Sequence, residues 1–101
     1  MGRRLVYIKK AEMISNYYIG EYIGKDNMWK EQRVFQSPQE IVDYLGNSDD
    51  KYARELRGRR NLGIIVKVPN TEGDSLVQAL TGIKSRFNRV FIRKAPSNNK
   101  H

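Results

Sequence analysis

Apolar and polar positions follow two different periods along this chain, and the switches between them divide it into elements. Leu5, Val6, Tyr7 and Ile8 make a short β-branched and aromatic run that predicts a strand. Tyr17 to Ile23 predicts a second. Gly24-Lys25-Asp26-Asn27 has turn composition and leads into a third strand, Trp29 to Phe35, so a hairpin is expected. In the third strand Trp29, Glu31, Arg33 and Phe35 share one face, and Lys30, Gln32 and Val34 the other. That mixed pattern suits an edge strand with one wet side.

A helical period begins at Ser37-Pro38-Gln39-Glu40. Ser37 suits the N-cap, Pro38 the first helical position, and Glu40 completes a capping box. Ile41, Val42, Tyr44 and Leu45 form its apolar side, and Gly46 is expected to stop it. A second helix is expected from Ser48, with Asp49 and Asp50 at its positive end, through Tyr52, Ala53 and Leu56 to Gly58. Gly63 to Val68 is apolar at nearly every residue, the mark of a central strand buried on both sides, and Pro69 ends it. Thr71-Glu72-Gly73-Asp74 then opens a helix, with Asp74 available to cap it. Its stripe Leu76, Leu80, Ile83 and Phe87 implies about four turns. Val90-Phe91-Ile92 is the last strand. The order β-β-β-α-α-β-α-β predicts an α+β fold: one mixed sheet of about five strands with helices packed on a face and a right-handed final crossover. Residues 1–95 are expected to form a single domain, and residues 96–101 a flexible tail.

Composition narrows the setting. The chain has 101 residues and no cysteine, which removes disulfides and thiolate metal sites and points to a reducing, cytoplasmic interior. No long apolar run follows the basic start MGRRLVYIKK, so neither a signal peptide nor a transmembrane helix is expected. Val6 stands where a myristoylation pattern needs Ser or Thr. No basic amphipathic helix presents bulky exposed apolar residues, so no membrane partner is expected.

The net charge of +8 is unevenly spread. Residues 1–10 carry four cations and no anion, whereas residues 11–50 carry three cations and eight anions. The remaining residues are again strongly basic. Such polarity predicts one face turned toward a polyanion. Three clusters supply it: Arg3, Arg4, Lys9 and Lys10; Arg54, Arg57, Arg59 and Arg60; and Lys84, Arg86, Arg89, Arg93 and Lys94. Arginine dominates the second and third, and its planar fork suits phosphate. Burial of Tyr52, Ala53 and Leu56 would turn Arg54 and Arg57 outward. The same cations also suit a helix C-terminus, and Asp50 and Arg54 have the spacing of an i,i+4 pair.

Catalytic material is scarce. The one histidine is the last residue, His101, so histidine-based triads and metal sites have almost nothing to use. Asp49 and Asp50 are explained by a helix start, no phosphate-loop motif is present, and no metal or other cofactor is expected. The tyrosines admit two readings. In a strand Tyr18 and Tyr22 share a face with Gly20 bare between them, while Tyr17, Ile19, Glu21 and Ile23 share the other. Either Ile19 and Ile23 face the core while the two tyrosines face outward to stack on bases, or the rings cover Trp29 or Phe35 across the hairpin. The second is favoured.

Tyr7, eleven residues before Tyr18-Ile19-Gly20, resembles the GIY-YIG endonuclease pattern, in which two hairpin strands carry the two tripeptides. The β-β-α-α-β-α order resembles that family's core as well. The resemblance implies a hydrolytic ancestry with altered parts. Leu5-Val6-Tyr7 replaces the first tripeptide, and the candidate arginine, Arg33, lies on a strand rather than a helix. Where the family has a metal-binding glutamate there is Gln78, with Glu72 only at the start of that helix.

The leading expectation is a small noncatalytic nucleic-acid-binding protein, accessory or regulatory, that contacts DNA or RNA. Its site would comprise Arg3, Arg4, Arg54, Arg57, Arg59, Arg60, Arg86, Arg89 and Arg93 with Tyr18 and Tyr22, and a homodimer would suit it. The alternative is a protein-binding module or inhibitor, of viral or mobile-element type, docking on an acidic partner. A degenerate GIY-YIG-like nuclease is the third reading.

Overall fold

Residues 2–11, 13 and 15–96 are described by the structure, a computed structural model. Of the expected tail only the exposed Pro96 falls among them; the rest, including His101, lies outside the described residues. Strands β1 (Arg4–Lys10), β2 (Tyr17–Ile23) and β3 (Met28–Phe35) come first. Helices α1 (Pro38–Asn47) and α2 (Lys51–Gly58) follow, then β4 (Leu62–Lys67), α3 (Asn70–Thr81), a 3₁₀ turn (Lys84–Arg86) and β5 (Val90–Lys94). They build one mixed sheet in the order β3-β2-β1-β4-β5. The first three strands form an antiparallel meander, and β4 and β5 run parallel to β1. The fold is α+β, with the element order that the periodicities predict.

Alternation assigns the faces. Val6, Ile8, Ile19, Ile64 and Val66 share one core with Ile41, Leu45, Leu56, Leu76 and Leu80, so all three helices cover the same side of the sheet. Each of these side chains is essentially fully buried, worth roughly 1.5–3 kcal/mol apiece. The alternate residues of the strands point to the opposite side, which no described helix covers. Here β4 departs from expectation. It is an interior strand, next to the edge strand β5 while β1 takes the centre, and only Leu62, Ile64 and Val66 face the helices. Gly63 is roofed by the side chains of Phe91 and Leu5, and Ile65 is half-buried.

The second departure is a β-bulge. Pairing runs Ile19 with Arg33 and then Gly20 with Glu31, so Gln32 is an extra residue in β3. One extra residue reverses every side chain beyond it. Arg33 and Phe35 therefore face the helices with Ile19 and Tyr17, while Trp29 and Glu31 face the open side with Tyr22 and Gly20. The expected common face for these four residues does not exist. Ile23 also leaves the core: it pairs with Met28 next to the turn and is 43% exposed. The turn itself is as expected, with Gly24 and Asn27 both at positive φ.

Helix ends follow local chemistry. The Ser37 hydroxyl accepts the Glu40 amide, and the Glu40 carboxylate accepts the Gln36 amide. Gly46 does not stop α1. It lies inside the helix, where the missing Cβ lets Ile83 approach; an added Cβ would sit 3.2 Å from Ile83 Cδ1. The second helix starts at Lys51 rather than Ser48, because the Ser48 hydroxyl accepts the Asp50 amide in a local turn. The third ends at Thr81, short of four turns, and the 3₁₀ turn carries the apolar stripe on to the buried Phe87. Asp74 caps nothing there; its carboxylate pairs with Lys94.

Candidate nucleic-acid interface

The open side of the sheet carries an aromatic cluster of Tyr7, Tyr22 and Trp29 and, apart from it, the ring of Phe91. Trp29 reaches from β3 across β2 over Gly20, whose added Cβ would stand 2.4 Å from the indole Cζ2. Phe91 reaches from β5 over Gly63, where an added Cβ would stand 2.5 Å from Cζ. Glycine within a strand permits this kind of close approach. Tyr22 packs on Trp29 with ring centroids 5.1 Å apart, and Tyr7 meets Tyr22 edge-on at 5.2 Å. Outward-facing tyrosines and cross-hairpin packing are thus one arrangement: Tyr22 is 38% exposed while resting on Trp29. Tyr18 lies on the same side, half-buried, level with Lys9 and Val34. Phe35 faces the helices instead and packs on Tyr44.

Cations sit over these rings. Lys9 Nζ lies 3.9 Å from the Trp29 centroid and donates to the Tyr22 hydroxyl at 2.8 Å. That hydrogen bond, with Lys67 nearby, draws the Tyr22 phenol below its ordinary pKa. The guanidinium carbons of Arg3 and Arg93 lie 4.5 and 4.9 Å from the Phe91 centroid.

One end of the sheet gathers arginines. The parallel strands β1, β4 and β5 begin there, and α2 ends there. Arg59, Arg60 and Arg89 line a depression together with Gly2 and Asn61. Arg3 and Arg89 line an adjoining one with Phe91. Arg3 and Arg59 line a third with Tyr7 and Tyr22. The arginine end and the aromatic face are therefore continuous. Among the described residues, Arg3, Arg59, Arg60, Arg89 and Arg93 have no carboxylate within 4.0 Å; the ion pairs belong to Arg4, Lys10, Arg33 and Lys94.

The other predicted arginines are each engaged by hydrogen bonds within the protein. Arg4 faces the helices and holds the buried Glu21 through both nitrogens, Nε at 3.0 Å and Nη2 at 2.9 Å. Arg57 donates to the Leu45 carbonyl at 2.8 Å and to the Ser48 carbonyl, closing the C-terminal end of α1. Arg86 donates to the Gly46 carbonyl at 3.3 Å and to the Asn47 side chain. Arg54 is exposed and donates to the Asp49 carbonyl. Its expected pair with Asp50 is absent, because the Asp50 carboxylate accepts from Arg33 and from the Tyr44 hydroxyl. Sequence reading missed Trp29, Phe91 and Lys67 as members of this face, and it placed Lys9 only in a charge cluster with Arg3, Arg4 and Lys10. Its available signal was a glycine inside each of two strands, at positions 20 and 63.

The positions named by the nuclease resemblance are not brought together. Tyr7 and Tyr18 lie on the open side, while Arg33 and Glu72 lie on the helix side. Arg33 pairs with Asp50 at 2.8 Å, and Glu72 accepts from Lys10 at 2.9 Å and from the Tyr17 hydroxyl. The Tyr17 hydroxyl, then Lys10, hold the Glu72 carboxyl below its ordinary range. Among the described residues no three His, Cys, Asp or Glu side chains gather as metal ligands, and no helix is long and apolar enough to cross a membrane. A cleft between α1 and α3, lined by Val42, Leu76 and Ala79, has this same engaged Glu72 as its ionisable group.

No known protein-family model matches the chain, and no curated protein or solved structure matches it.

Proposed function

We propose that this is a small noncatalytic nucleic-acid-binding protein that works in a reducing cell interior and grips phosphates with the arginine end of its sheet. One observation carries the reading: Arg3, Arg59, Arg60 and Arg89 line adjoining depressions, Arg93 shares the Phe91 ring with Arg3, and none of these five guanidiniums has a carboxylate within 4.0 Å among the described residues. Cations left close together without counterions repel one another, and a polyanion relieves that repulsion. Of the other arginines, Arg4 and Arg33 pair with carboxylates, and Arg54, Arg57 and Arg86 donate to backbone carbonyls, so what marks this set is that its guanidiniums have no hydrogen-bond partner among the described residues. The test is a salt-titrated binding assay with DNA and RNA. Binding is expected at ~50 mM salt and should weaken steeply as salt rises. Joint substitution Arg59→Glu and Arg89→Glu should reduce it strongly in a protein that stays folded. Absence of binding to either polymer at ~50 mM salt overturns the reading.

A second reading, a protein-docking module, draws on the outer rim. Met28 and Val34 of the edge strand β3 are 64% and 48% exposed, and the strand's outer edge has no neighbour in the sheet. A protein partner, or a second copy, retained after nuclease treatment would favour it.

A further inference from the structure

We infer that the open face of the sheet receives the unpaired bases of a single-stranded nucleic acid, with Trp29 and Phe91 as its stacking platforms. The inference rests on the nucleic-acid reading above and adds the class of polymer. Both rings lie across a glycine of the neighbouring strand, at Gly20 and Gly63. A residue without Cβ lets the ring come down close to the sheet, and both rings remain half-buried there with part of their surface open to a ligand. Each ring already attracts a cation: Lys9 over Trp29, and Arg3 with Arg93 over Phe91. A guanidinium on a ring marks a place where a flat, electron-rich base also stacks, with the arginine then free to reach phosphate.

Charge on the face complements a nucleic-acid backbone. Lys9 and Lys67 are direct neighbours on β1 and β4 and point to the same side. Like charges placed side by side on a sheet are unfavourable unless an anion joins them. Glu31 is the one carboxylate that the strands place on this face. Trp29 and Phe91 stand on the two outer strands and the lysines on two of the strands between, in a sheet whose outer strands are about 19 Å apart at ~4.8 Å per strand. That spread suits several nucleotides laid across the strands. An undistorted duplex hides its base faces inside the stack, so it offers Trp29 and Phe91 no base to stack on.

Trp29 is the sole tryptophan, so its fluorescence reports on the site directly. The probes are oligo(dT), oligo(U) and a DNA duplex of equal length, at ~50 mM salt. The expected result is quenching of Trp29 emission by one or both single strands and weaker binding of the duplex. Phe91→Ala should lower single-strand affinity by roughly 5- to 150-fold, the size of one lost base stack, and lower duplex affinity by clearly less. Phe91→Tyr keeps a stacking ring and should restore it. If single strand and duplex bind equally, emission is unmoved and Phe91→Ala alters neither, the stacking inference falls while the phosphate reading stands. If nothing binds, both fall. Quenching in the native protein decides the matter even if Phe91→Ala fails to fold.

Discussion

Arg4 opens β1 and Arg3 directly precedes it, and the two side chains go to opposite sides of the sheet, Arg3 lying over the Phe91 ring and Arg4 holding Glu21. The alternation of a strand, carried one residue back from its start, separates two roles here. Glu21 is 7% exposed and also accepts from the Tyr52 hydroxyl at 2.5 Å. Burial, then this hydrogen bond, raises the Tyr52 phenol pKa, so the phenol stays protonated and keeps donating. Arg4→Ala leaves that carboxylate without its cation and is expected to cost about 3 kcal/mol in urea unfolding. Arg3→Ala should leave stability within about 0.5 kcal/mol and weaken nucleic-acid binding. Unfolding curves and binding isotherms for the two variants should therefore move in opposite combinations.

The same division runs through the second basic cluster. Arg57 spends its guanidinium on the carbonyls of Leu45 and Ser48, whereas Arg60 is exposed and lines the arginine depression. Arg57→Ala is expected to destabilise by about 1.5–3 kcal/mol, the worth of hydrogen bonds from a charged donor. Arg60→Glu should be close to neutral in stability and should lower the slope of log affinity against log salt by about one or more. If Arg57→Ala instead leaves stability unchanged and reduces binding, its place in the interface is restored.

Periodicity carried the element order, the hairpin, the edge position of β3 and the sharing of a face by Tyr18, Gly20 and Tyr22. It could not carry the bulge at Gln32, because a period-two reading assumes that no residue is skipped. That single residue decides that Trp29 stands with the tyrosines and that Arg33 stands with Asp50. The arginines show a second limit. Charge counting treats Arg57, Arg59 and Arg60 alike, but only the packing of α1 beside α2 decides which of them meets backbone carbonyls. Gly46 shows a third: its turn-like composition reads as a stop, while its use is to admit Ile83.

Gly73 gives a sharp test of the β4–α3 junction. A Cβ added there would fall 1.9 Å from the Val68 carbonyl oxygen, a backbone atom of the residue that follows β4. Gly73→Ala is therefore expected to cost about 3 kcal/mol or more, because relief requires moving α3 away from the sheet. Gly58 is the contrasting position. It is the last residue of α2, its added Cβ meets nothing within 4 Å, and its φ is not positive. Gly58→Ala should stabilise by about 0.4–1 kcal/mol, chiefly by narrowing the unfolded ensemble. Thermal unfolding of the two variants beside the native protein measures both shifts.

Stability should form a plateau near neutral pH with a fall on each side, and the two limbs have separate owners. The carboxyl of Asp50 is held below its ordinary pKa, first by the Tyr44 hydroxyl and then by Arg33; that of Glu72 is lowered by Tyr17 and Lys10. A carboxyl lowered by folding binds fewer protons in the native than in the unfolded state. Its contribution is complete above the ordinary range, ~4 to 4.5, and is lost as pH falls through the native value. Tyrosines behave in the opposite sense. Burial, then the bond to Asp50, pushes Tyr44 up to about 12, and Tyr17 and Tyr52 are raised as well. A raised phenol contributes fully below ~10 and loses its contribution as pH rises toward the native value, and Lys10, raised by Glu72, adds to that limb. Urea midpoints should be flat from about pH 5 to 9.5 and decline outside that range. Tyr44→Phe removes a titrating phenol and also releases Asp50, so it should make both limbs shallower. A variant that changes neither limb would show that the Tyr44–Asp50 contact does not govern the pH response.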